Sequence, residues 1–373
     1  MAWGQLGWLV WLAGLPLAPF LLPKTLDLYH AQMTWFHAGL GVMGACALTS
    51  QRLGVPNKPL ACWMGWGALL SLWWWTQTLL QQKAFAFPLL MGFGHLMTLG
   101  LFFALYTQTW TPQTLPTLLR GLAVTGAVLT VYGVLQLWNL DQFFNDTSQG
   151  RDIVHGTLGN PNHFGCYLAL MLPLFLLQPE RWWRYLAAIA LLLIICTQSV
   201  GAYAATGASL LYGLGVWKPK WVLPALAVGA IALWVALLLV PRFTNPEGRW
   251  EAWGTFGRMF LAKPLTGWGP GFIHAWSQTV TEGPMFQWRH AHNEYLQVAV
   301  EQGLLGLSIL GWMLASTAQK AWRLRHDPVG LACGMLVVAL AVNSLVNFPA
   351  HLVVISSLGL VAVSSLWILD AAL

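Results

Sequence analysis

The sequence predicts an all-α polytopic membrane protein with about 12 transmembrane helices. These form one integral membrane domain, 1–373, in which 241–292 is a large external loop carrying short helices. Three observations predict this. The 373 residues are 57% hydrophobic and only 8% charged, with a mean hydropathy of +0.60, whereas soluble domains carry about 25% charged residues. The apolar residues come in long blocks such as Trp221–Val240, which holds no charge, and about 20 such residues cross the hydrocarbon core as a helix. Lys and Arg, finally, fall unevenly between the connecting loops.

Taken in order, the first apolar stretch, 3–22, has no basic region before it and no cleavage site after it, so a retained helix is expected. Further spans are expected at 33–49, 60–81, 85–107, 117–140, 161–178, 182–199, 201–217, 221–240, 293–318, 329–347 and 352–369. No polar loop separates the pair that meets at Ser199–Gly201. With both termini in the cytoplasm, the inside loops hold ten Lys/Arg residues and the short outside loops only Lys24, Lys83 and Arg151. That bias sets the orientation, and five further basic residues fall in the loop 241–292.

The net charge of +6 is thereby a matter of topology, and no nucleic-acid partner is expected. The five cysteines lie far apart in apolar stretches and form no CxxC or Cys/His pattern, so they read as core residues. Many of the 24 tryptophans, such as Trp73–Trp75 and Trp182–Trp183, flank span ends, where indole anchors at the interface. No internal repeat of the transporter kind is visible.

The external loop is where chemistry is expected, since loops this long in a compact bundle are usually functional. Within it, Arg249–Ala262 reads as a short amphipathic helix lying along the membrane surface, with Trp250, Trp253, Phe256 and Phe260 on its apolar face. Arg249 and Arg258, nine residues apart, cannot share a direction on an unbroken helix. The loop returns to the membrane at Arg289, His290, His292, Asn293 and Glu294. A helix N-terminus there favours an anion and discourages a protonated imidazole. His292 is thus suited to act as a base, although a plain interfacial or capping role is the commoner one for a histidine at a helix entrance. His290 and His292 lack a third metal ligand nearby, so no metal site is expected. Glu301, two turns into the next helix, is either functional or paired with a polar neighbour. Asn160 and Asn162 are turn formers as well as site candidates. Asp141, Asp146, Arg151 and Asp152 form a mixed-charge external loop. His37, His95 and His351 read as ordinary hydrogen-bonded residues.

These residues resemble the O-antigen ligase and polymerase family of bacterial envelope glycosyltransferases. His292-Asn293, nine residues, then Gly303-Leu304-Leu305-Gly306 follows the ligase pattern. Upstream, Arg249 with Trp253 and the run Lys263–Phe272 are similar to the family, as is the turn Gly156–His163. One departure is clear: the family's Ser-Arg-Gly reads Ser199-Val200-Gly201 here, so either another base such as Arg151 or Arg289 compensates, or donor binding is weaker or different.

The resemblance implies an inner (cytoplasmic) membrane location and an active site facing the periplasm. The donor would be a glycan on undecaprenyl diphosphate, the acceptor a glycolipid or glycan hydroxyl, and the surrounding partners membrane lipids. Arg249, Arg289 and Arg258 would hold the diphosphate, and His292 would deprotonate the acceptor. His290, Asn293, Glu294, Asn160, Asn162 and Glu301 would support them. Inversion at the anomeric carbon would need neither metal nor cofactor. A polymerase or a protein O-oligosaccharyltransferase of the same family remains open, as does a secondary transporter of another class.

Overall fold

The computed structural model describes residues 3–18, 32, 35–36, 38, 102, 106–141, 154–239, 248–277, 279–280 and 288–373. No strand occurs among them. The spans expected at 33–49, 60–81 and 85–107 lie largely outside the described residues, as do the turn 241–247 and Asp146, Arg151 and Asp152.

The first helix, α1 (Trp3–Gly14), is followed by a turn over residues 15–17, which includes Pro16; residues 19–22 of the expected span lie outside the described residues. There follow α2 (Leu115–Leu137), α3 (Pro161–Leu177), α4 (Trp182–Thr197), α5 (Val200–Trp217) and α6 (Val222–Leu239). Next come α7 (Arg249–Ala262) and α8 (Phe272–Ser277), then α9 (Glu294–Arg323), α10 (Pro328–Asn343) and α11 (Val353–Asp370).

Among the described residues three helices, α2, α9 and α11, are long and apolar enough to cross a membrane, by length and composition alone. The apolar helices α3, α4 and α10, of 16 or 17 residues, are shorter. All lie within a few residues of the expected spans, since hydropathy locates helices well and ends poorly.

Helix α3 is the hub of the main core. It packs against α2, α4, α5 and α10, and most of its residues are buried. Asn160 caps it, accepting from the Asn162 N–H at 2.8 Å, and Pro161 occupies a first-turn position where no N–H is needed. The pair of spans without a polar loop is indeed two helices. Gln198 turns left-handed (φ 51°), and Ser199 caps α5 by accepting from Ala202 N at 3.3 Å. The break is local chemistry that a hydropathy scan does not register.

Helix α9 departs from a plain span at Gly303, whose φ of 65° and ψ of −163° interrupt the helix. The run Pro264–Gly269 enters the break. Trp268 N donates to Val300 O (2.9 Å), Gly269 N to Glu301 O (2.8 Å) and Leu304 N to Pro264 O (2.8 Å). Backbone atoms of the loop thus replace helix hydrogen bonds that Gly303 cannot complete. A Cβ on Gly303 would stand 2.4 Å from Leu265 O, and one on Gly267 2.5 Å from Gln302 N. Only glycine fits at either side of this joint.

A second, smaller core forms around the joint from Ala252, Phe256, Ile273, Trp288, Ala291 and Val300. It fixes α7 and α8 against the first half of α9. The bounds of α7 are those the sequence predicts, and its buried face is so only in part. Arg249, Ala252 and Phe256 point inward, while Trp250 is 54% exposed. Asp141 likewise differs from expectation: it is buried, accepting from Tyr132 Oη (2.7 Å) and Gln136 Nε2 (2.9 Å).

Candidate active site

The candidate site forms where four helix ends meet: the N-termini of α3, α9 and α11 and the C-terminus of α10. Its centre is Phe348, on the short link between α10 and α11. Four imidazoles surround that ring. His290 stacks on it with centroids 4.5 Å apart, and His292 meets it edge-on at 4.6 Å. His163, from the first turn of α3, stands at 5.6 Å and His351 at 6.4 Å.

The segment carrying His290 and His292 is held from both sides at the residue between them. Ala291 O accepts from Trp253 Nε1 (2.9 Å), and Ala291 N donates to Gln297 Oε1 (3.1 Å). Trp253 therefore acts as a bracket from α7. His292 then takes the left-handed conformation, φ 49°, a region histidine visits more readily than most residues but still uncommonly. Such backbone strain gathers at functional sites.

Arg249 opens α7 and is only 3% exposed. Its Nη1 donates to Val346 O at 2.5 Å, two residues before Phe348. Arg249 and His292, 43 positions apart in sequence, thus contact the same short segment. The residue after the position where the resemblance breaks also touches that segment. A Cβ on Gly201 would meet Asn347 Nδ2 at 2.5 Å and Val346 Cγ2 at 2.9 Å, so Gly201 borders the link whose Val346 carbonyl Arg249 holds.

The other candidates divide. Asn293 caps α9, accepting from Leu296 N at 2.9 Å. Glu294 is 7% exposed; its Oε1 accepts from Ala350 N (2.7 Å) and His351 Nδ1 (3.2 Å). Its own N–H donates to Ser344 O. The helix end expected to receive an anion is therefore largely occupied by the protein's own acceptors. Glu301 has the pairing role among its two readings. Its carboxylate accepts from Gly271 N (3.0 Å) and Ile273 N (3.3 Å), holding the start of α8. Asn160 is a cap, and Asn162 is buried beside it.

Arg289 is exposed at the rim, and Arg258 is exposed on α7 with Nη2 donating to Thr255 Oγ1 (3.2 Å). Arg249 and Arg258 do face different ways, as their spacing requires.

Protonation differs across the cluster. Burial holds His290 well below the usual imidazole pKa, reinforced by its histidine neighbours His351, His292 and His274. Its Nδ1 is buried with no hydrogen-bond partner among the described residues. For His351, the surrounding protein opposes charge, but the Glu294 carboxylate outweighs it by charge and hydrogen bond, so the pKa is raised. His351 and Phe348 are site residues that motif reading missed. The usable signal was topological: alternation of spans puts 348–351 on the same side of the membrane as His292.

Among the described residues no group of three or more His, Cys, Asp or Glu side chains is arranged to hold a metal. No curated protein matches the chain. The O-antigen ligase family pattern matches residues 185–311, from α4 into α9. That stretch includes Arg249, His292 and both glycines of the joint. The family whose pattern this chain carries over residues 185–311 is therefore O-antigen ligase, the one its motifs resemble.

Proposed function

We propose that the chain moves a glycan from undecaprenyl diphosphate to an acceptor hydroxyl, of the lipid A-core type, at the periplasmic face of the bacterial inner membrane. In this reading 12 spans cross the membrane, both termini are cytoplasmic and the loop 241–292 is periplasmic. The observation that carries the reading is the meeting of Arg249 and His292 on residues 346–348.

In the proposed step His292 takes the hydroxyl proton as the acceptor oxygen attacks the anomeric carbon. The bond from that carbon to the diphosphate breaks, and the diphosphate leaves with the electron pair. Arg249 neutralises the charge growing on it, the task for which a planar guanidinium is suited. Arg289 at the rim offers a second phosphate contact, with Arg258 further out. Direct displacement inverts the anomeric centre. The lowered pKa of His290 keeps a neutral imidazole beside His292, which avoids a competing proton donor. The raised pKa of His351 favours its charged form, paired with Glu294 beside the proposed phosphate site.

The test uses the purified full chain in bilayers with lipid-linked donor and candidate acceptors. The expected outcome is glycan transfer by wild type and a loss of about 10²- to 10⁴-fold in His292→Ala, with donor binding retained. Equal transfer by the two proteins refutes the mechanism. Flux of a small solute without any transfer identifies a transporter instead.

A further inference from the structure

At the opposite end of the bundle, α3, α5 and α10 surround a cavity of about 400 Å³, within the roughly 300–1,000 Å³ typical of small-molecule sites. Its floor is apolar, built from Pro173, Leu177, Val216 and Met335, and its rim carries Arg325 and His326. It lies at the helix ends furthest from Phe348, so it is separate from the candidate active site.

The charge at this end is lopsided. Glu180 is engaged by Arg120, and Asp370 by Lys320 and Arg323. Asp327 accepts from Gly330 N as the cap of α10. Arg325, Lys218 and Lys220 face no carboxylate among the described residues. Arg325 lies over the Trp322 ring at 4.3 Å and donates Nη1 to Trp322 O at 2.6 Å, which steadies the guanidinium and leaves other donors of the fork for a ligand. Exposed indoles circle the same level: Trp182, Trp217, Trp221 and Trp322 are each about half exposed. Indoles so placed mark the boundary between headgroups and hydrocarbon.

We propose that this cavity binds an anionic glycerophospholipid of the adjoining leaflet. An acyl chain fills the apolar floor, and the headgroup phosphate sits at Arg325 and His326, drawn by the neighbouring lysines. A basic recess between membrane helices at the interface has the chemistry for such a headgroup. A zwitterionic lipid satisfies the floor but not the uncompensated rim.

The experiment measures lipid retention and unfolding midpoint for the full chain in neutral detergent. Phosphatidylglycerol is compared with phosphatidylcholine of the same acyl chains and with inorganic phosphate. The expected result is preferential retention of, and stabilisation by, phosphatidylglycerol. In Arg325→Gln that preference falls about fivefold, the worth of one basic residue near a headgroup, while Arg325→Lys keeps it. Leu177→Trp, which fills the floor, abolishes retention of both lipids. Equal effects of the two lipids, an undiminished preference in Arg325→Gln, or stabilisation by phosphate alone each overturns the proposal. Because Leu177→Trp leaves the rim charge intact, a folding failure of Arg325→Gln does not end the test. Glycan transfer is not the readout, so the outcome is independent of the mechanism proposed for the other end.

Discussion

The two ends of the bundle handle charge in opposite ways. At the histidine end, charged groups are buried and fixed: Arg249 on Val346 O, Glu294 on Ala350 N and His351, Glu301 on the start of α8. At the basic end, Arg120 and Glu180 pair in the open, with side chains 51% and 36% exposed, and Arg325 rests on an indole; the pair Lys320–Asp370, with side chains 14% and 12% exposed, is the exception there. Buried charge is tolerated only when fully partnered, so the first end is pre-organised at a cost in folding freedom. The second anchors and steers at little cost. The difference suits reaction at one end and attachment at the other.

The comparison is broken most directly at the joint in α9. Gly303→Ala puts a Cβ on Leu265 O at a φ of 65°, so a loss of about 2–4 kcal/mol is expected. Chemical denaturation in detergent would measure it, and a change within error would mean the joint is not held as described. Next in size is the contrast on α7. Arg249→Gln removes a charged, buried hydrogen bond, worth about 1.5–3 kcal/mol, and should also weaken donor binding. Arg258→Gln should stay within about 0.5 kcal/mol and leave donor affinity nearly unchanged. Similar losses in the two variants would erase the distinction between inner and outer arginines.

A smaller effect concerns pH. His351 has a raised pKa, so the stability from its pair with Glu294 is complete below the ordinary value of 6.5 and is lost as pH rises through the raised one. His290 runs the other way. Its pKa is lowered, so the unfolded chain takes up the proton first and stability falls as pH drops below 6.5. Glu294→Gln should remove the first dependence and keep the second; unfolding midpoints across the imidazole range would show it. Smallest of all, Arg120→Gln at the basic end should leave the midpoint where it is, since exposed pairs contribute little.

Much of this was legible in the sequence, and the failures have physical causes. The bounds of α7 follow from Gly248 before it and Pro264 after it. Its inward face was read from the aromatic spacing; Phe256 does turn inward, but beside it packing buries the small Ala252 and the cationic Arg249 rather than Trp250. A hydropathy window sees α9 as one span because the break at Gly303 is completed by atoms some 35 residues upstream. His292, Asn293 and Arg249 could be named from their motif. His351 could not, because the carboxylate that gives it meaning lies 57 positions away. Tertiary pairing of that kind leaves no local trace.

The joint at Gly303 is made of main-chain atoms on both sides. Leu265, 64% exposed, contributes only its carbonyl there. Its side chain is consequently free to drift or to be redesigned for contact with different neighbours, while the seam itself stays shut. A scaffold closed in this way can change what it presents on the outside of the joint without reopening the helix.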